Sequence, residues 1–290
     1  MYTTLIEPAE LAAPISRPGA GDDDWAVLDC RSDLPRPEWG ASAYAAGHIP
    51  GALYAHLDHD LSGPITPGSG RHPLPAVERL AATFSGWGID DRTQVVAYDQ
   101  GNGAYASRLW WLLRWLGHRK VAVLNGGFAA WQQSGLPTDT VMAKRTSKVF
   151  TPRPESVPVV VSSVEVERLV ASGELTAGRS VLVDARAADR FAGENETIDP
   201  VAGHIPGARN HGFLRNVDAR GRFLPVSDLQ ERWRATLGGA EAAQVIAMCG
   251  SGVTACHNLL ALEVAGLPGA RLYAGSWSEW IRDGARPITR

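Results

Sequence analysis

Short apolar runs alternate with longer amphipathic stretches along this chain. The segments Val181–Asp184 and Val245–Met248 are almost entirely apolar, which is typical of strands buried on both faces of a parallel sheet. Leu229, Trp233 and Leu237 instead recur at helical spacing and predict a helix with one buried face. The alternation of such strands and helices predicts an α/β fold, with a mainly parallel sheet flanked by helices.

Two serine-led motifs indicate where helices begin. Ser162 precedes Glu165, and Ser227 precedes Gln230, at the spacing of a capping box. In that motif the serine and the later side chain each accept a backbone hydrogen bond at the first turn of a helix. We therefore predict helices that start directly after Ser162 and Ser227.

The two halves of the chain carry the same motifs in the same order. The hexapeptide Gly-His-Ile-Pro-Gly-Ala at 47–52 returns unchanged at 203–208. An apolar run that ends in an aspartate, at Asp29 and again at Asp184, precedes each copy. Repeated markers in one order at nearly one offset indicate a duplicated domain.

The composition changes between the two copies. From Pro137 to about Val157 the periodicity lapses and prolines and basic residues accumulate, which favours extended backbone. We therefore predict an N-terminal domain over 1–140, a linker over 141–157 and a C-terminal domain over 158–290. A second irregular stretch, from Asp58 to Pro75, is rich in glycine and proline, and a loop of that length tends to be functional.

Composition and charge exclude several classes of protein. The 290 residues carry a formal net charge of −3, so no basic excess points to nucleic acid. Three cysteines are too few for a disulfide framework and favour a reducing compartment. The N-terminal residues lack the basic start and apolar run of a signal peptide, and no run approaches the roughly 20 apolar residues of a membrane span. We therefore expect a cytoplasmic protein that binds neither nucleic acid nor membranes.

Cys249 follows an apolar strand directly and precedes an apolar helical stretch. Gly250 and Gly252 allow the intervening loop to curl, so that successive backbone N–H groups point inward. Those donors and the helix dipole favour an anionic sulfur, and a thiolate at the edge of an α/β sheet is a competent nucleophile. The alternative is a packed structural cysteine that precedes a flexible turn.

The remaining cysteines and the first copy of the repeat offer contrasts to Cys249. Cys30 ends a buried strand and Cys256 lies within a helix, so both are predicted to pack in the core. Asp99 occupies the position of Cys249 in the first copy, which therefore lacks the nucleophile. The chain shows neither the ligand spacing of a zinc site nor the glycine pattern of a nucleotide site, so we predict no metal and no cofactor.

Together, the paired hexapeptides, the strand ends and the cysteine loop resemble the tandem-domain rhodanese-like sulfurtransferases, from about Trp25 to the C-terminus. The sequence Cys-Gly-Ser-Gly-Val-Thr at 249–254 is similar to the active loop of members that use 3-mercaptopyruvate, whereas thiosulfate-using relatives usually have basic residues there. The resemblance implies two rhodanese-like domains, an inactive N-terminal one and a catalytic C-terminal one that carries sulfur as a cysteine persulfide. The loop residues implied to hold that sulfur are Gly250, Gly252, Val253 and Thr254.

Two arginines are candidates for holding the donor. Mercaptopyruvate carries one carboxylate, which the planar fork of an arginine can bind through two hydrogen bonds. Arg190 matches an arginine that similar enzymes place at this carboxylate, and Arg186 is a second cation near the same strand end. Many relatives have a further arginine where this chain has Asp199. The alternative for both arginines is an ion pair without a substrate role.

The resemblance also implies a proton relay. Asp58 and His72 match positions that similar enzymes combine with the loop serine, here Ser251. Such a relay would serve acid–base catalysis, because the ketone must receive a proton or a hydrogen bond as sulfur departs. The alternative is a polar loop with a surface histidine.

The expected activity is sulfur transfer from 3-mercaptopyruvate to a thiol, cyanide or a thioredoxin-like protein, with release of pyruvate. Thiosulfate as the donor in the same site is the main alternative. A phosphatase of the same fold would need an arginine in the loop, and 251–257 contains none. A non-catalytic, sulfur-sensing module remains a candidate of another class.

Overall fold

A computed structural model of the protein describes residues 1–15, 25–153 and 159–290. The chain divides into two compact units, and the division does not follow the sequence strictly. Unit 1 comprises Met1–Gly63, Pro75–Glu155 and Ala219–Phe223, and unit 2 comprises Pro64–Leu74, Ser156–Asp218 and Leu224–Arg290. The segment Pro64–Leu74, which belongs by sequence to the first copy, is therefore part of unit 2.

Unit 1 is built on a parallel sheet. Its described strands are β1 (Leu5–Ile6), β2 (Trp25–Asp29), β3 (Leu53–Tyr54), β4 (Gln94–Tyr98) and β5 (Val121–Leu124), in the order β1-β5-β4-β2-β3. Asp29 pairs with Tyr98 across the two central strands, so both strands end at the same edge of the sheet. The described helices are α1 (Pro8–Ile15), α2 (Trp39–Ala46), α3 (Val77–Gly86), α4 (Ala106–Trp115) and α5 (Gly127–Gln133).

Unit 2 repeats this architecture with a parallel sheet of four described strands. They are β6 (Val181–Asp184), β7 (Arg209–Asn210), β8 (Val245–Met248) and β9 (Arg271–Leu272), in the order β7-β6-β8-β9. The described helices are α6 (Ser163–Ala171), α7 (Ala188–Ala192), α8 (Val226–Leu237), α9 (Thr254–Val264) and α10 (Ser276–Trp280). Strands β6 and β8 are buried along their full length, because their apolar side chains face packed elements on both sides of the sheet.

The repeated hexapeptides hold equivalent places in the two units. His48 pairs through its backbone with Asp139, and His204 pairs in the same way with Thr289. The ring of His204 donates a hydrogen bond to the carbonyl of Phe191, and the ring of His48 donates one to the carbonyl of Tyr44. In each unit, the motif therefore holds a segment near the C-terminal end of that copy through backbone hydrogen bonds.

One of the two predicted helix starts is confirmed. Ser162 caps α6, and its hydroxyl accepts the backbone N–H of Glu165 at 3.2 Å. The start at Ser227 is wrong, because α8 begins at Val226 and Pro225 holds the capping position without a side-chain hydrogen bond. The apolar face predicted for this helix is buried, as expected from its spacing.

The predicted linker falls partly outside the described residues, at 154–157. Residues 141–153 belong to unit 1, where Arg145 donates to the carbonyl of Trp25 and the Arg153 N–H donates to the carbonyl of Leu116. The domain limits predicted at 140 and 158 stay a prediction. Among the described residues, no helix has the length and apolar character needed to span a membrane.

Candidate active site

In the loop between β8 and α9, the side chain of Cys249 is in contact with a backbone N–H group of the same loop. The thiol is buried, with 2% of the residue exposed, and the Gly252 N–H donates to its Sγ at 3.1 Å. Gly252 has a φ of +80°, and a Cβ at this position would collide with the carbonyl oxygen of Ala274. The glycine is therefore required both for the turn and for the close approach of the backbone.

The start of α10 supports this loop from the far side. Ser276 Oγ accepts the N–H of Cys249 at 3.0 Å, and the carbonyl of Cys249 accepts the N–H of Trp277 at 3.0 Å. Ser276 itself has a φ of +57°, a strained conformation for a residue with a side chain. Ser276 could not be predicted as part of the loop, because it lies 27 residues from Cys249 and no local motif joins the two.

His72 and Ser251 meet within unit 2. His72 Nδ1 lies 2.7 Å from Ser251 Oγ, and both side chains are buried. These residues are far apart in sequence, and they meet because Pro64–Leu74 packs as part of unit 2. Asp58 is an exposed residue of unit 1, and its predicted participation in the relay stays a prediction.

Arg190 is held by two carboxylates. Its Nε and Nη2 donate to Glu196 at distances down to 2.8 Å, and its Nη2 also donates to Asp199 Oδ2 at 3.2 Å. Glu196 also accepts the backbone N–H groups of Ile198 and Asp199, so it organises the turn that follows α7. Hydrogen bonds from Arg190 and from these amides hold the pKa of Glu196 below its ordinary value, against the effect of burial.

Arg71 is a second cation beside the loop that sequence analysis missed. It pairs with Asp199 Oδ1, and its Nη2 would lie 2.9 Å from a Cβ on Gly250. Burial raises the pKa of Asp199 above its ordinary value, although the guanidinium of Arg71 opposes that shift. The available signal was the position of Arg71, next to His72 in the same irregular loop.

Arg186 occupies a different environment from Arg190. Its side chain is 1% exposed, pairs with Asp184 at 2.7 Å and donates to the carbonyl of Gly203 at 2.8 Å. In unit 1, Arg31 makes the same contacts with Asp29 and with the carbonyl of Gly47. Because this arrangement recurs in the unit that lacks the cysteine, its geometry favours a role of Arg186 in the fold rather than in donor binding.

The equivalent loop of unit 1 is filled by a carboxylate. Asp99 Oδ1 accepts the N–H groups of Gly101 and Gly103, each at 3.0 Å, and Oδ2 accepts those of Tyr105 and Ala106 at 2.9 and 3.3 Å. Burial raises the pKa of Asp99, while these four donors favour its charged form. A loop of this kind therefore offers a set of backbone donors to an anion.

The remaining predicted residues lie where the strand–loop–helix arrangement requires. Val253 is buried at the N-cap of α9, and Thr254 is the first residue of that helix. Cys30 and Cys256 are both buried, and Cys256 donates to the carbonyl of Gly252 at 3.3 Å. Burial and nearby carboxylates raise the pKa of the Cys30 thiol well above its ordinary value, which disfavours its reactive form.

Potential metal ligands come together at one place in the described part of unit 1. Ligand atoms of Glu38, His56 and His59 lie within 4.8 Å of one another. His56 Nδ1 accepts the backbone N–H of Asp58 at 3.1 Å, and its Nε2 is buried without a hydrogen-bond partner among the described residues.

Comparison with known proteins places both units in one family. A family model described as a rhodanese-like domain matches twice, at residues 7–134 and 165–283. The chain is 47% identical to a probable 3-mercaptopyruvate sulfurtransferase from Pseudomonas aeruginosa, over 98% of this chain and 97% of that protein. It is 38% identical to a putative thiosulfate sulfurtransferase, SseB, from Mycobacterium tuberculosis, over 99% of this chain and 96% of that protein.

Among solved structures, the crystal structure of SseA from Escherichia coli, described as a 3-mercaptopyruvate sulfotransferase, matches with a TM-score of 0.79. The identity is 31%, and the match covers 96% of this chain and 100% of that chain. The expected α/β fold with two rhodanese-like domains is confirmed.

Proposed function

Because this chain belongs to the rhodanese family of sulfurtransferases, we propose that it takes sulfur from 3-mercaptopyruvate and passes it, as a persulfide on Cys249, to a thiophilic acceptor. The observation that carries the proposal is the hydrogen bond from the Gly252 N–H to Cys249 Sγ at 3.1 Å. This contact gives the sulfur a backbone donor at the start of a helix, which favours an anionic nucleophile. The similar protein from Pseudomonas aeruginosa is named a probable 3-mercaptopyruvate sulfurtransferase, which supports this donor.

In the first half-reaction the Cys249 thiolate attacks the sulfur of mercaptopyruvate. A sulfur–sulfur bond forms, the carbon–sulfur bond breaks, and its electron pair becomes the enolate of pyruvate. The enolate takes up a proton to give pyruvate, and the enzyme retains a persulfide. The carboxylate of Asp99 in unit 1 shows how backbone N–H groups of such a loop hold an anion, so the outer sulfur would find the same kind of donors.

The proton is assigned to His72 and Ser251. Their contact at 2.7 Å allows the serine hydroxyl to donate to the enolate oxygen while the imidazole replaces its proton. Arg190 is assigned to the donor carboxylate, because it stays partly exposed and its Nη2 lies near Gly250, beside the nucleophile. Arg186 is omitted from this assignment because its guanidinium is buried against Asp184.

In the second half-reaction the acceptor attacks the outer sulfur, and the Cys249 thiolate leaves. Cyanide would give thiocyanate, and a thiol, whether small or on a thioredoxin-like protein, would give a persulfide. Both steps balance without an added oxidant or reductant.

The proposal is tested by intact mass measurement after exposure to mercaptopyruvate without an acceptor. We expect the mass of one added sulfur atom, which cyanide removes. Cys249→Ser should show no adduct, while Cys30→Ser, the matched change at the buried cysteine of unit 1, should show it unchanged. An adduct that persists in Cys249→Ser would refute the nucleophile.

Thiosulfate is the second candidate donor. One specific observation favours it, because Arg71 adds a cation beside the loop that the loop sequence itself does not supply. The similar protein SseB is named a putative thiosulfate sulfurtransferase. Turnover with the two donors at equal concentration, with cyanide as the common acceptor, distinguishes the candidates.

A further inference from the structure

Three charged side chains converge next to the nucleophile in unit 2. A Cβ on Gly250 would lie 2.9 Å from Arg71 Nη2, 3.7 Å from Asp199 Oδ2 and 3.8 Å from Arg190 Nη2. Gly250 directly follows Cys249, so any anion bound at this place lies beside the reacting sulfur. The absence of a side chain at 250 leaves room for these groups.

Asp199 bridges the two arginines. One oxygen pairs with Arg71 Nη1 and the other accepts from Arg190 Nη2 at 3.2 Å. Its side chain is 1% exposed, whereas those of Arg71 and Arg190 are 26% and 17% exposed. An internal carboxylate thus holds the guanidinium groups that would otherwise be offered to an anionic donor.

The surrounding charges are balanced without any donor. Among the described residues that form this ion-pair cluster, the guanidiniums of Arg71, Arg186 and Arg190 face three carboxylates. Those carboxylates belong to Asp184, Glu196 and Asp199. A donor therefore adds uncompensated negative charge, and the cost increases with its charge because the repulsion from Asp199 scales with it.

We propose that Asp199 determines donor selectivity: its carboxylate competes with the donor for Arg71 and Arg190, and so disfavours a dianion more than a monoanion. This inference rests on the proposed sulfur transfer at Cys249. Thiosulfate is a dianion and mercaptopyruvate a monoanion, so Asp199 favours the keto acid. Arg71 is the second cation of the donor site, because its guanidinium lies beside Gly250 together with that of Arg190.

The test compares both donors in the full chain, with cyanide as acceptor. Asp199→Asn keeps the size of the side chain and removes its charge. We expect KM to fall for both donors. The ratio of kcat/KM for thiosulfate to kcat/KM for mercaptopyruvate should rise by about tenfold or more, because thiosulfate carries one more negative charge that the Asp199 carboxylate no longer repels. Asp189→Asn is the matched control, because Asp189 loses the same charge but hydrogen bonds to Asn195 and to the Arg190 amide.

Arg71→Gln provides an independent measurement if Asp199→Asn fails to fold. Removing this cation should lower the same ratio, because a dianion loses more attraction than a monoanion. A ratio that stays unchanged in both variants, or that moves equally in Asp189→Asn, would overturn the inference. Failure of the proposed function is recognised separately, because the unmodified chain would then form no sulfur adduct on Cys249 with either donor.

Discussion

At the scale of single residues, similar side chains receive different roles from their surroundings. Arg186 and Arg190 lie in one short segment, yet only Arg190 keeps an exposed edge beside the cysteine loop. The side chains of His72 and Ser251 lie 2.7 Å apart, a distance that allows proton transfer between them. Substitutions at these positions should therefore have separable effects on binding, chemistry and stability.

The relay is tested by His72→Ala and Ser251→Ala. Turnover with mercaptopyruvate should fall by about 10²–10⁴-fold, since positioned acid catalysis typically contributes that much. Turnover with thiosulfate should fall far less, because no carbanion needs a proton when its sulfur–sulfur bond breaks. His59→Ala, at an exposed histidine of unit 1, is the control, and equal losses with both donors would remove the relay from the mechanism.

The role of Arg190 is tested by Arg190→Lys. A lysine supplies a point charge but cannot make two parallel hydrogen bonds to a carboxylate. Loss of one charge-assisted bond, worth about 1.5–3 kcal/mol, should reduce kcat/KM for mercaptopyruvate by roughly 10- to 100-fold, mainly through KM. The transfer of sulfur from the persulfide to cyanide involves no carboxylate and should not change. Full efficiency in Arg190→Ala would place the carboxylate elsewhere.

At the scale of elements, the same strand–loop–helix arrangement occurs in both units around a different side chain. In unit 1 the loop before α4 holds the carboxylate of Asp99, and in unit 2 the loop before α9 holds the sulfur of Cys249. Gly103 and Gly252 have nearly the same φ, +81° and +80°, and their N–H groups donate to Asp99 Oδ1 and to Cys249 Sγ respectively. The element therefore supplies backbone donors, and the residue at its start decides the chemistry.

The loop geometry is tested by Gly252→Ala. A Cβ there meets the carbonyl of Ala274, so the loop must shift and the N–H that faces Cys249 is displaced. Gly266→Ala is the matched control, because Gly266 has a φ of +72° but open space around its Cβ position. We expect persulfide formation to be lost in the first variant and kept in the second, which should lose only about 1–2 kcal/mol of stability to backbone strain. Normal persulfide formation in Gly252→Ala would contradict the assigned geometry.

The buried pair of Arg186 and Asp184 is expected to stabilise the fold, because both side chains are almost fully buried. Arg186→Ala leaves a buried carboxylate without its partner, and such losses typically cost about 3–5 kcal/mol. Denaturant unfolding should show this decrease, and Arg31→Ala should show one of similar size in unit 1. If Arg186→Ala instead keeps full stability and binds mercaptopyruvate more weakly, Arg186 would be assigned to the donor site.

At the scale of the whole molecule, each unit depends on polar groups that are buried with their partners. In unit 2, His211 contacts Thr236 Oγ1 at 2.7 Å and Asn216 Oδ1 at 3.1 Å, and its ring stacks on Trp233. Burial, with a smaller contribution from Arg215, lowers the pKa of His211 to about 4. The neutral ring is thus part of the folded state of this unit.

This shift predicts a loss of stability in weak acid. The unfolded histidine binds its proton below about pH 6.5, while the folded one does so only near pH 4. The stabilisation is therefore complete above pH 6.5 and decreases by up to about 3 kcal/mol as the pH falls towards 4. Denaturant unfolding at several pH values measures the slope, and His211→Gln should reduce it. An unchanged slope in that variant would assign the effect to other groups.

Apolar strands and glycine turns are local signals, so the duplicated α/β fold and the candidate nucleophile Cys249 could both be predicted from the sequence. Cys249 needs only its strand and two glycines to be recognised, and Asp99 at the matching place in the first copy is visible without coordinates. His72 and Ser251 were found through a family resemblance, since no local pattern joins residues so far apart. Tertiary structure alone decided that Arg71 reaches Asp199, that Arg186 is buried, and that Ser276 supports the cysteine loop. Each of these facts depends on where distant segments pack, and a charged side chain has no periodicity that reveals its partner.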